Sequence, residues 1–138
     1  MDSLFWRGAW EPVPEAEYLA AHERLTAGAA WVIEGYVDAA MASRLRLADQ
    51  VIYLDYSGPL CAWRVLRRWI AHRRTSRPEL PRAAFERLSL AFLLVVLRRA
   101  ERPAIEAALR GVGPAKILRA TSPRQLDAIA NLTPRHET

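Results

Sequence analysis

Between Val51 and Ile70 the spacing of apolar residues changes character, and that change limits what the whole chain can fold into. Val51, Ile52, Tyr53 and Leu54 form a short run of β-branched and aromatic residues closed by Asp55, the pattern of a strand buried on both faces. Ser57, Gly58 and Pro59 then break the chain. Pro59 suits the first turn of a helix, where its missing N–H costs nothing. From Leu60 onward, Ala62, Trp63, Leu66, Trp69 and Ile70 share one side at helical spacing, while Arg64, Arg67 and Arg68 share another. A strand, a tight turn carrying an acid and a helix with an arginine face make half of a βαβ unit. Ligands of such sheets sit at the carboxyl ends of the strands, where Asp55 lies.

The rest of the chain repeats this alternation. Leu4, Phe5, Trp6 and Trp10 crowd the amino end, an unusual amount of aromatic surface for a terminus. Pro12 and Pro14 lead into a helix over Glu15–Ala27, with Tyr18, Leu19, His22 and Leu25 near one face and Gly28 as its stop. Trp31, Val32 and Ile33 predict a buried strand ended by Glu34 and Gly35. A helix over Asp38–Ala48 follows, with Met41, Leu45 and Ala48 inward and Arg44 outward. Arg73–Pro81 reads as a loop. The helix predicted over Arg82–Arg99 carries Phe85, Leu88, Phe92, Val95 and Val96 on one stripe and leucines on most of the rest, which calls for burial on several sides. Pro103 opens another helix ending near Gly111, Lys116–Arg119 gives a third strand, and Ser122-Pro123 begins a last helix with Leu126, Ile129 and Leu132 facing in. Trp63 and Trp69 read as core. The expectation is one α/β domain over residues 1–138, a parallel three-layer sheet with about three strands and about six helices. Three strands are few for that much helix to cover.

Composition narrows the chemistry. Formal net charge is +5 over 138 residues, which favours polyanionic partners. Almost all the basic residues are arginine, suited to bidentate contact with phosphate or carboxylate, and Lys116 is the only lysine. The single cysteine, Cys61, excludes an internal disulfide and a cysteine-based metal site. His22, His72 and His136 lack ligand spacing. No signal peptide is evident, and the longest apolar run, Leu88–Leu97, is about half of the roughly 20 residues that span a bilayer. These features point to a soluble cytoplasmic protein with no membrane contact.

The order of the blocks carries a resemblance. Asp2…Trp6-Arg7…Trp10, Trp31-Val32-Ile33-Glu34-Gly35-Tyr36, Ala48-Asp49…Val51-Ile52-Tyr53-Leu54-Asp55, Leu60-Cys61…Trp63-Arg64-Val65-Leu66-Arg67-Arg68 and Arg77-Pro78 resemble the adenylate-kinase-like P-loop ATPases. These bacterial proteins are often labelled topology modulation protein or AAA family ATPase. The resemblance covers nearly the whole chain. It implies a P-loop nucleoside-kinase-like parallel sheet of strand order 2-3-1-4-5, binding ATP and Mg²⁺ and acting as a phosphotransferase or ATPase. In that family the first strand and its glycine-rich phosphate loop precede the block matched by Asp2. No G-x-x-x-x-G-K-[ST] exists here, because Lys116 lacks both the glycine before it and the hydroxyl after it. The absent strand would lie between those matched by Trp31–Glu34 and Val51–Asp55. Its loss leaves backbone groups unpaired at roughly 1–3 kcal/mol each, against a typical net stability of roughly 5–15 kcal/mol. The simplest expectation is a truncated frame, with Met1 an internal or misassigned start. A genuinely degenerate protein is the alternative. The flanking strands then either pair directly or receive a strand in trans, making an oligomer. Phosphoryl transfer is implied only for a full-length form, and neither ATP nor Mg²⁺ is expected to bind tightly here.

The same resemblance implies site residues. Glu34 falls where the family has an aspartate that orients Mg²⁺, the alternative being an acid in a strand-end turn. Arg67, Arg68, Arg73, Arg74 and Arg77 precede or form a lid-like loop over the phosphates (residues 73–81). Their alternative is a solvated basic face. Asp2, Trp6 and Tyr36 match the acceptor site, and Thr121 and Ser122 the loop flanking adenine. Asp55 helps shape the site or caps the helix near Pro59. The partner expected is a nucleotide or other phosphorylated small molecule. The rival is a non-catalytic anion or nucleic-acid binder using the Arg64–Arg77 surface, whose affinity falls steeply with salt.

Overall fold

In the computed structural model, residues 2–8, 11–35, 37–72 and 88–132 are described. Tyr36, the lid-like loop with Arg73, Arg74 and Arg77, and the first part of the helix predicted from Arg82 lie outside them.

The elements run in the order α1 (Asp2–Phe5), β1 (Trp6–Gly8), β2 (Glu11–Pro12), α2 (Glu15–Thr26), α3 (Met41–Leu47), β3 (Val51–Leu54), α4 (Gly58–His72), α5 (Leu90–Arg98), α6 (Arg102–Leu109), a 3₁₀ turn (Pro114–Lys116), β4 (Ile117–Ala120) and α7 (Pro123–Leu132). The fold is mixed α/β and helix-rich. Its sheet consists of β3 and β4, paired in parallel with Val51 opposite Ile117 and Leu54 opposite Ala120. A separate antiparallel ribbon joins β1 and β2 at the amino end. Phe5 carries this ribbon onto α2 through an edge-to-face contact with Tyr18 (ring centroids 5.5 Å apart).

Alternation along the strands decides what lies on each face. Val51 and Tyr53 are buried and share a cluster with Ala48, Leu109 and Val112, against which Trp31, Leu45, Ile105 and Ile117 pack. Helix α6 supplies Ile105 and Leu109 to that face, and α3 supplies Leu45. The expected burial of β3 on both faces is corrected: Ile52 is 44% and Leu54 48% exposed. The Asp55 N–H donates to the Ala120 carbonyl at 2.9 Å. In a parallel ladder successive residues face opposite neighbours, so the amides of Ile52 and Leu54 point away from β4. No described residue pairs with that outer edge.

Three further expectations are corrected. The strand predicted at Trp31–Ile33 belongs to neither sheet, and Val32 is fully exposed. A buried strand needs a neighbouring strand for its backbone, and among the described residues no strand pairs with this segment. On α4 the covered side is Cys61, Ala62, Val65, Leu66 and Trp69, whereas Trp63 is 57% exposed and is not core. Helix α5, expected to be buried on several sides, has no buried residue; Leu90, Phe92, Leu94, Val95 and Leu97 are all exposed. It packs on α4.

The α4–α5 contact is close at Gly58. A Cβ there would collide with the Leu97 carbonyl, a backbone group that cannot rotate away. Gly58→Ala is therefore expected to lower stability by about 1–3 kcal/mol. Gly113→Ala, where nothing lies within 4 Å of the added carbon, should change it by less than about 1 kcal/mol. Thermal unfolding of the two variants side by side checks this.

Candidate functional site

Strand register brings charge to the carboxyl end of the sheet. Continuing the alternation of Val51 and Tyr53 puts Asp55 on the same face, and Arg119 follows Ile117 on β4. On α6, Arg102 and Glu106 share the side that carries Ile105 and Leu109. The apolar half of each element thus meets the core, and its polar half meets Asp55.

Asp55 is 7% exposed, and three guanidinium groups converge on its carboxylate. Arg99 forms an ion pair with Oδ1. Arg102 donates to both oxygens at 3.1 and 3.2 Å, and Arg119 donates to Oδ2 at 3.0 Å. Arg119 Nη2 also donates to both Glu106 oxygens, at 2.8 and 3.0 Å, and the guanidinium lies over the Tyr53 ring at 5.0 Å. A buried carboxylate keeps its charge only when its acceptor sites are filled, and these arginines fill them. Arg99 adopts φ 54°, the one left-handed non-glycine residue among those described. The turn after α5 would suit glycine; arginine there costs of order 1–2 kcal/mol, and its ion pair with Asp55 helps offset that.

The acid expected to cap α4 is therefore the centre of an arginine cluster. Neighbouring side chains line the strand end. Tyr56 is buried with no partner for its hydroxyl among the described residues, and Arg64 sits over its ring at 4.8 Å. Thr121 gives both its N–H and its hydroxyl to Gln125 Oε1 at 2.7 and 2.8 Å, and Ser122 Oγ accepts from the Gln125 N–H at 3.3 Å. The two residues proposed to flank adenine are thus engaged in starting α7.

The other predicted residues are scattered. Glu34 is exposed on the segment that joins no sheet. Arg67 and Arg68 lie on the exposed face of α4. Trp6 is half-buried with its ring against Phe5 at 4.8 Å, and Asp2 lies in α1. Lys116 donates to the Ala48 carbonyl at 3.1 Å and so ties the start of β4 to the end of α3.

A second polar cluster lies by α2. Arg44, expected to face outward, is buried, because its guanidinium pairs with Asp38 at 2.6 and 2.8 Å. Asp38 also accepts from the Ala40 N–H at 2.8 Å, so the helix starts at Met41 rather than at Asp38. Tyr18 and His22 are buried beside this pair. Burial, then the Asp38 charge, pushes the Tyr18 phenol up to about 12. Burial, then the Arg44 charge, pushes the His22 imidazole down from its ordinary value.

Among the described residues no group of three His, Cys, Asp or Glu could hold a metal ion. No described helix is long and apolar enough to cross a membrane. Comparison with protein-family models, curated proteins and solved structures found no match to this chain.

Asp55→Ala is expected to cost about 1–3 kcal/mol, toward the lower end because Arg102 and Arg119 are each over two-fifths exposed and regain water; thermal unfolding measures it. A second expectation concerns pH. His22 binds its proton less readily in the folded chain, so stability should fall as pH drops below about 6.5. Tyr18 holds its proton more tightly when folded, so stability should also fall between about pH 10 and 12. Urea unfolding across pH should show both limbs, with His22→Leu flattening only the acid one.

Proposed function

We propose that this chain is the outer part of a P-loop nucleoside-kinase-like sheet, one that handles nucleotides or other phosphorylated small molecules and transfers no phosphoryl group by itself. The observation that carries the reading is the outer edge of β3, along which no described residue pairs. In the order 2-3-1-4-5 the strand of Val51 stands beside that of Ile117, and the strand bearing the phosphate loop lies on its other side. The direct parallel pairing of β3 with β4, the segment from Trp31 to Gly35 that joins neither sheet, and the edge of Ile52 and Leu54, along which no described residue pairs, are what that order leaves when its central strand is missing. The flanking segments have not closed up on each other. The arginines around Asp55 stand at the carboxyl ends of the strands, the usual ligand side of such a sheet.

The residues present do not fit a catalytic Mg²⁺–ATP site. Phosphoryl transfer needs backbone amides around the phosphates, a lysine on the outer ones and a hydroxyl on the metal. The only lysine is engaged with Ala48, and Glu34 stands exposed on a segment that joins neither sheet.

Amide hydrogen exchange joined to an ATPase assay tests the proposal. Ile52 and Leu54 N–H should exchange far faster than Tyr53 and Asp55 N–H, and ATP turnover should stay at background. Equal protection of the four amides means a covered edge and removes the kinase-like frame. Turnover well above background overturns the claim of inactivity.

A further inference from the structure

The cluster around Asp55 does not use all the positive charge near it. Arg98, Arg99, Arg102, Pro103, Glu106 and Arg110 line a crevice of about 660 Å³ where the end of α5 turns into α6. Arg98 and Arg110 are exposed and have no ion pair among the described residues. Counting Arg119, five arginines face two carboxylates, Asp55 and Glu106, which leaves three positive charges unmatched. Like charges lining one crevice repel one another, and a further anion among them relieves that repulsion. The Asp55 carboxylate removes the freedom of Arg99 and Arg102, so these two present their remaining N–H groups at little further entropic cost. The left-handed backbone at Arg99 points the same way: a strained residue is kept where its side chain is needed.

We propose that this corner is a binding site for a multiply charged phosphate, a diphosphate group either free or carried by a nucleotide, held by Arg98, Arg99, Arg102 and Arg110. It rests on the phosphorylated-ligand reading above and adds a site outside every residue the sequence nominated. Arg99 and Arg102 present planar donors fixed from behind. Arg98 and Arg110 close on the ligand from the two helices. Glu106 stays paired with Arg102 and Arg119, at 3.1 and 2.8 Å, and so repels the anion less than a free carboxylate does. Guanidinium forks match phosphate oxygens two at a time, and a diphosphate brings enough charge to balance the unmatched excess.

Calorimetric titration of the 138-residue protein with inorganic pyrophosphate, and separately with ATP, tests the site at about 50 mM salt. Three proteins are compared: the unaltered chain, the double variant Arg98→Ala/Arg110→Ala, and Arg24→Ala, which removes an exposed charge from α2. Pyrophosphate should bind one to one, the double variant should lose about tenfold or more in affinity, and Arg24→Ala should stay within about twofold. The double variant should keep its melting temperature, since neither side chain pairs within the described fold. An unchanged affinity in the double variant, an equal loss in Arg24→Ala, or no pyrophosphate binding overturns the site. Pyrophosphate binding without ATP binding supports the site and sinks the nucleotide reading. ATP binding indifferent to the double substitution does the reverse.

Discussion

One buried carboxylate joins three parts of this chain that are far apart in sequence. Asp55 ends β3, Arg99 and Arg102 belong to the turn between α5 and α6, and Arg119 lies on β4. Taking the carboxylate out of water is unfavourable by several kcal/mol, and only charge-assisted hydrogen bonds of good geometry offset it. With three guanidinium groups on two oxygens, that condition is met. The arrangement has a second effect. A carboxylate that fixes three arginines cannot neutralise them, so the positions are locked while positive charge remains. A fold that needed only a counter-ion would have used one arginine.

The same register that makes the charged end makes the apolar one. Val51, Tyr53 and Asp55 lie along one face of β3, Ile117 and Arg119 along the matching face of β4, and Arg102, Ile105, Glu106 and Leu109 along one side of α6. Each element is hydrophobic at one end and ionic at the other, so a slip of one residue would ruin both at once. The Asp38–Arg44 pair does a smaller version of this locally, setting the start of α3 and burying an arginine beside Tyr18 and His22.

Elements with a strong period and clear punctuation were legible in the sequence. Val51–Leu54, the helix after Pro59, Glu15–Thr26 and the helix from Pro123 all stand within a residue or two of where spacing and caps put them. Apolar residues declare that they need a partner, but not whether the partner lies in the same chain. That is why Trp31–Ile33 read as a buried strand and α5 as a buried helix, and why Trp63 read as core. Arg44 was misread for a related reason: a helical wheel sees polarity, and only the turn at Asp38 turns that polarity inward. The site was the least legible part. Asp55 is separated from Arg102 by 47 residues and from Arg119 by 64, and no local pattern links them. The one available signal was Arg119 itself, a charged residue on a strand otherwise expected to be buried. Such a residue demands an acid across the sheet.

The uncovered surfaces argue together. A parallel sheet is ordinarily covered on both faces, and two strands alone seldom stand by themselves. Here no described residue pairs along the outer edge of β3, Ile52 and Leu54 are exposed, and α5 shows Leu90, Phe92, Leu94 and Leu97 to solvent. The Ala48–Val112 cluster and the Asp55 ion pairs hold the opposite face of the sheet. A strand added in parallel along the outer edge of β3 would pair the idle groups of Ile52 and Leu54, and its carboxyl end would arrive beside Asp55. Structural completion and anion chemistry then meet at one end of one strand. Whatever polypeptide fills that edge would set its last residues next to arginines that the fold has already oriented.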